Sequence, residues 1–248
     1  MNRPVFAEQG LRIAIVGWEE GSAGQVHSWA ASLGITVHCF VHPEDVEPQI
    51  TFDAAMRDRD CSQFAVPQAG RFKDSPLICA ADWPSPLATA GIDNVLVTIS
   101  DNERRLDEMD KARRAQLTLI SVKHPSVTIL PDAIIGSNVI LHARCLIGYR
   151  AEIGDGVIVN TGAQVDHHNV LRSGCRLDPG VILSGNVTIG RCATLHAGAV
   201  VKDRIRIGER SVVGAGAVVI RDVASATTVV GVPAKSVGRV TDVQGRNL

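Results

Sequence analysis

Aromatic side chains are scarce: phenylalanine, tryptophan and tyrosine together make up 4% of the 248 residues, with a single tyrosine. A core rich in Ile, Leu and Val that has so little use for rings is narrow. An excess of charge is missing as well, with 25 Lys and Arg against 26 Asp and Glu. No overall basic field draws the chain to nucleic acid or anionic lipid, and a small-molecule partner is expected. No run approaches the roughly 20 apolar residues of a membrane helix, and the opening MNRPVFAEQG carries no apolar signal core, so a cytoplasmic location is expected. The six cysteines, at 39, 61, 79, 145, 175 and 192, form no Cys-x-x-Cys pair and are expected as reduced thiols. Cys145 and Cys175 stand among small apolar residues, where a thiol fills space. With 45% hydrophobic and 21% charged residues the chain is neither disordered nor fibrous, and its length suits one large domain or two small ones.

What is there is a repeat. Every sixth residue from Ile129 to Val219 is Ile, Leu or Val, sixteen positions without a miss. Four residues after each stands a small or compact residue, beginning Ala133, Val139, Cys145, with Asn169 the conspicuously polar member. A strict period of six matches neither an amphipathic helix nor a simple meander. Two inward positions per hexad, with Gly, Asp or Asn often just after the aliphatic one (Gly136, Gly148, Asn160, Asp166, Gly190), describe a short flat strand followed by a tight corner. Three such sides close a triangular prism with an 18-residue coil.

The first half alternates differently. RIAIVG at 12–17 reads as a buried strand, Ser22 to Leu33 as a helix and TVHCFVH as a second strand, a βαβ start. Further expected elements are a strand near Leu77 to Ala80, a helix around Pro86 to Ala90, the strand NVLVTIS, a charged helix from Asp101 to Gln116, and the strand LTLISV. Together they imply a small parallel sheet. The segment EGSAGQ lacks the GxGxxG pattern; it offers backbone amides to a phosphate or is an ordinary strand-to-helix turn. The expected division is a Rossmann-like βαβ domain over 1–124 and a parallel β-helix over 125–248.

The order of FVHPED, ISDNERR, VKHPSVTI, VDHHNV, SGNVTIG and GVPAK resembles the NeuD- and PglD-like family of sialic-acid O-acetyltransferases and bacterial aminosugar N-acetyltransferases. The likeness spans nearly the whole chain. It implies a left-handed β-helix of hexapeptide repeats, although the usual crossover rule favours the opposite hand. It also implies that the βαβ domain holds the sugar or its nucleotide, that the β-helix takes acetyl-CoA, and that three chains assemble with active sites between neighbours. The expected activity is acetyl transfer from acetyl-CoA to the amine or hydroxyl of a bacterial sugar, nucleotide-linked or sialic-acid-like, for surface glycan biosynthesis.

Acyl transfer needs a base and a donor for the developing oxyanion. His167, two residues past the inward Val165, lies at a corner with its ring outward. An imidazole whose ordinary pKa is near 6.5 is largely neutral at cytoplasmic pH and can accept a proton. One coil on, Gly185 should lie at the ~4.8 Å strand spacing, with room for a thioester and a bare N–H. The family places a carboxylate directly after the histidine; here that residue is His168, which leaves Asp166 as the nearest acidic partner. Where relatives carry a second histidine stands Arg176, for the thioester oxygen or a CoA phosphate. The resemblance maps cofactor contacts onto Ala197, Ala215 and Lys235. It maps sugar contacts onto Ala23, Gly24, Gln25, His42, Ser100 and Asp101, with Asp101 equally suited to capping a helix.

Two other readings compete. A zinc site like that of the γ-carbonic anhydrases is disfavoured, since His142 and His196 lie 54 residues and three coils apart, about 14 Å, too far for one tetrahedral zinc. No metal is expected. The other is a solenoid that only binds or scaffolds.

Overall fold

The computed structural model describes residues 6–46 and 70–240. Cys61 lies outside the described residues. The chain separates into two compact units: Ala7–Leu119, and a second that begins at Ile120 and includes Phe6.

The first unit is built on one sheet. Its elements are β1 (Arg12–Val16), α1 (Gln25–Ala30), β2 (Thr36–His42), β3 (Arg71–Phe72), β4 (Ser75–Cys79), α2 (Pro84–Thr89), β5 (Asn94–Val97), α3 (Asn102–Arg114) and β6 (Thr118–Leu119). The strand order is β3-β4-β2-β1-β5-β6, parallel except for the β3–β4 hairpin. Ile13 to Val16 are buried on both faces, as continuous apolar runs in parallel sheets are. The expected 22–33 helix is a composite, with a π-helical turn at Glu20–Gly24, α1, and a short 3₁₀ turn at Ala31–Leu33. It stops where Gly34 takes φ +70°, the left-handed stop that glycine adopts without steric cost.

LTLISV is not one strand. Thr118–Leu119 closes the first sheet, whereas Val122–Lys123 pairs with Ile140–Leu141 as the first rung of the second unit. That unit is a left-handed parallel β-helix whose walls are sheets of eight, six and five strands, joined by rungs spaced 18 residues apart. From Ile135 to Val219 each aliphatic position and each fourth residue after it is buried in a single core, including Cys145, Cys175 and the polar Asn169 and Ser211. Ile129 and Ala133 are partly buried at its mouth.

The corner chemistry differs from the simple reading. Every sixth residue from Asp132 to Gly216 has positive φ, and it is the third residue after the aliphatic one. Gly and Asn often stand there because left-handed backbone costs them little, yet His168 holds the same conformation at φ +57°. Glycines directly after the aliphatic residue serve another purpose: a Cβ on Gly148 would meet the Asp166 carbonyl carbon of the next coil at 2.5 Å.

Candidate active site

His167 and Gly185 occupy equivalent corners of successive coils. Gln164–Val165 pairs in parallel with Ile182–Leu183 on the six-stranded wall, and the Asn186 N–H donates to the His167 carbonyl at 3.0 Å. The imidazole fills the space a side chain on Gly185 would need. An ideal Cβ there would lie against His167 Cε1 and 2.6 Å from Nε2. The ring is exposed to solvent, and Nε2 makes no hydrogen bond among the described residues. The Gly185 N–H, in a buried residue, also finds no acceptor among the described residues. A ring nitrogen without a partner beside an uncommitted amide is the pair that acyl transfer uses.

The partners of His167 differ from the expected ones. Asp166 Oδ1 accepts the His167 main-chain N–H at 2.7 Å, so the carboxylate braces the backbone and makes no hydrogen bond to the ring. The ring's neighbour is His168, with Nδ1 to Nδ1 at 3.1 Å and the two planes at 84°. Asn169, the polar break in the inward ladder, joins the same two corners. Its Oδ1 accepts the Val187 N–H at 2.6 Å, two residues beyond Gly185. Its Nδ2 is buried without a partner among the described residues.

Arg176 lies elsewhere, on the eight-stranded wall. Its Nε is 3.0 Å from Asp178 Oδ1, and Asp178 Oδ2 meets His196 Nδ1 at 2.8 Å. The guanidinium, expected at the thioester oxygen or a CoA phosphate, pairs with Asp178 on this wall, away from the His167 corner. Ala197 and Ala215 are exposed at the corner where the eight-stranded wall turns into the six-stranded one. The six-stranded wall therefore runs from the Ala197 and Ala215 corner to the His167 and Gly185 corner. Lys235 is exposed at the start of the C-terminal strand Lys235–Arg239.

In the first unit the nominated residues gather near the carboxyl ends of β1, β2 and β5, where open α/β sheets place ligands. Ala23 and Gly24 are buried in the π-helical turn, and Gln25 is exposed as α1 begins. This turn does not present its amides freely: the Ser22 and Gly24 N–H groups both donate to the Glu19 carbonyl. His42 Nδ1 accepts from Trp18 Nε1 at 3.2 Å, and burial lowers its pKa, with Arg104 adding to that and Glu44 opposing it. Glu44 is held below the usual carboxylate range chiefly by the Arg104 hydrogen bond at 2.6 Å. Ser100 Oγ donates to Glu19 Oε2 at 2.6 Å. Asp101 caps α3, its Oδ1 accepting the Arg104 N–H at 2.8 Å. The buried Arg105 donates to the Ile99 carbonyl at 2.8 Å and so holds the loop bearing both. Trp18, Glu19, Glu44 and Arg104 were not singled out from sequence; FVHPED and ISDNERR contain two of them, but nothing in their spacing announces the pairing.

Among the described residues no group of three His, Cys, Asp or Glu could hold a metal ion, and no helix is long and apolar enough to cross a membrane.

No family model matches the chain, and neither does any curated protein. Solved structures do. A single-histidine variant of GDP-perosamine N-acetyltransferase from Caulobacter crescentus, in complex with CoA and GDP-perosamine, is 31% identical over 94% of this chain and 99% of its own, with TM-score 0.78. The acetyltransferase domain of PglB from Neisseria gonorrhoeae, in complex with acetyl coenzyme A, is 27% identical over 93% of this chain and 100% of its own, with TM-score 0.76. WeeI from Acinetobacter baumannii, at 20% identity and TM-score 0.67, shares the fold. The chain is a hexapeptide-repeat acyltransferase in architecture. It belongs to the NeuD- and PglD-like sugar acetyltransferases of that superfamily.

Proposed function

We propose that this enzyme moves the acetyl group of acetyl-CoA onto the amino group of a nucleotide-linked amino sugar. The observation that carries the reading is the exposed His167 Nε2 packed over Gly185, whose N–H has no other acceptor among the described residues. The amine is favoured over the hydroxyl because the Caulobacter relative is named for N-acetylation and was solved with a GDP-linked amino sugar. As the sugar nitrogen adds to the thioester carbonyl carbon, His167 Nε2 takes the nitrogen's proton and the Gly185 N–H donates to the developing oxyanion. Collapse of the tetrahedral intermediate breaks the C–S bond, and the imidazolium returns the proton to the departing thiolate. The products are the acetamido sugar and CoA, with no covalent enzyme intermediate.

Asp166 braces the backbone on which the base sits. Ala197 and Ala215 leave space for the pantetheine arm, and Lys235 supplies positive charge for CoA. The first unit holds the sugar nucleotide at the Gln25, His42, Ser100 and Asp101 end of its sheet. The product keeps its nucleotide leaving group, so it is a donor for glycosyl transfer into a surface glycan. The protein works in the cytoplasm as a homotrimer, which light scattering at 3 chain masses would bear out.

The direct test replaces His167 by Asn or Ala and follows CoA release with a thiol reagent, using GDP- and UDP-linked amino sugars as acceptors. Turnover should fall by about 10²- to 10⁴-fold with acetyl-CoA binding kept. Undiminished turnover would remove His167 from the chemistry.

A further inference from the structure

Two imidazoles share one corner, and the proton transfer to a base uses one. We propose that His168 is a positioning residue whose Nδ1 accepts the Nδ1–H of His167, which holds the reacting ring in the tautomer with a bare Nε2. This inference rests on the reading of His167 as the base.

A neutral imidazole carries its proton on one nitrogen and a lone pair on the other. The 3.1 Å Nδ1 to Nδ1 contact therefore has two forms. If His168 donates, His167 keeps its proton on Nε2, and the nitrogen that faces Gly185 cannot accept another. If His167 donates, Nε2 is free to act. Only the second form is a base toward a ligand at Gly185.

The second ring is fixed in place. His168 takes the left-handed conformation of its corner, its N–H donates to the Tyr149 carbonyl at 2.9 Å, and its ring stands edge-on to Tyr149 with centroids 5.6 Å apart. The Arg150 guanidinium lies 5.1 Å from the Tyr149 ring centre and 3.8 Å from Asp132. Asp166 precedes the pair with its carboxylate on the His167 amide, and Asp203 and Arg204 occupy the corner beyond Gly185. These charged and titratable groups stand near the two rings among the described residues. None of these carboxylates makes a hydrogen bond to the His167 ring, so His168 does for this chain what an acidic neighbour does for a histidine base elsewhere. A neutral acceptor orients the ring but stabilises the imidazolium formed in the reaction less than a carboxylate would.

The substitutions that test this are supplied by the repeat itself. Glycine holds the same corner position at Gly162, Gly174 and Gly180, so His168→Gly keeps the backbone and removes the acceptor. Aspartate holds it at Asp132, and a carboxylate oxygen stands the same number of bonds from Cα as a histidine Nδ1, so His168→Asp restores an acceptor with negative charge. Thermal midpoints, acetyl-CoA affinity and pH profiles of kcat would be measured for both, beside His167→Asn. We expect His168→Gly to fold and bind acetyl-CoA while kcat falls on the order of 10- to 100-fold. His168→Asp should recover kcat and move the acid limb of the profile to higher pH, because a carboxylate raises the basicity of the ring it orients.

If His168→Gly keeps the wild-type kcat and acid limb while His167→Asn is inactive, the positioning role is overturned and the base survives. The positioning role fails equally if His168→Gly is impaired but His168→Asp neither recovers activity nor moves the limb. Activity in His167→Asn would instead overturn the base assignment itself.

Discussion

Gly185 carries no positive φ, so its backbone would accept a side chain; the obstacle is the imidazole already in that space. A methyl group 2.6 Å from Nε2 must push the His167 ring aside or move the coil. Gly185→Ala should therefore leave the thermal midpoint close to wild type and reduce kcat by about 10²-fold, the scale on which small misplacements of reacting groups act. A variant with full activity would show that the ring and the amide need not touch. Both residues follow from counting: 18 residues per coil put 185 next to 167. The orienting contact is another matter. Asp166 and His168 are both adjacent to His167 in sequence, and only the left-handed corner decides that the carboxylate turns to the amide while the second imidazole meets the ring.

On the scale of a coil, Asn169 shows how a single inward polar group orders the site. Its Oδ1 is the acceptor for the Val187 N–H, and both groups are buried. Asn169→Ala leaves that amide without a partner inside the prism, a loss of about 1 to 3 kcal/mol that urea denaturation would register. Stability unchanged within a few tenths of a kcal/mol would mean the amide finds another acceptor. The hexad ladder announces every wall of the prism, since an inward position spoils the core wherever it is large or charged. The split of LTLISV into two elements is not announced, because Leu119 and Val122 are equally apolar and differ only in which neighbouring strand accepts their hydrogen bonds.

For the molecule as a whole, the β-helix unit also holds a buried histidine away from the His167 corner. His142 is 6% exposed, and burial first, then the neighbouring His124 charge, lowers its pKa to about 4. The folded state thus binds its proton less readily than the unfolded chain, whose value is 6.5. The contribution is full above pH 6.5 and shrinks as the pH falls toward 4, by about 1.4 kcal/mol per unit. The stability difference between wild type and His142→Gln in urea should narrow across that window; a constant difference would show that His142 titrates alike in the folded and unfolded states. Cys39 and Cys145, their thiols pushed up to about 11 by burial, are likewise structural. The linear chain determined the period, the prism, the parallel sheet, and the pairing of position 167 with position 185, because each rests on spacing and hydrophobicity alone. The tertiary structure decided what each polar side chain does: Asp166 on an amide, Arg176 on Asp178, Asp101 on a helix end, Ser100 on Glu19. Spacing records which residues face inward, whereas a hydrogen bond depends on distances and angles between atoms that only the folded backbone brings within 3 Å of one another.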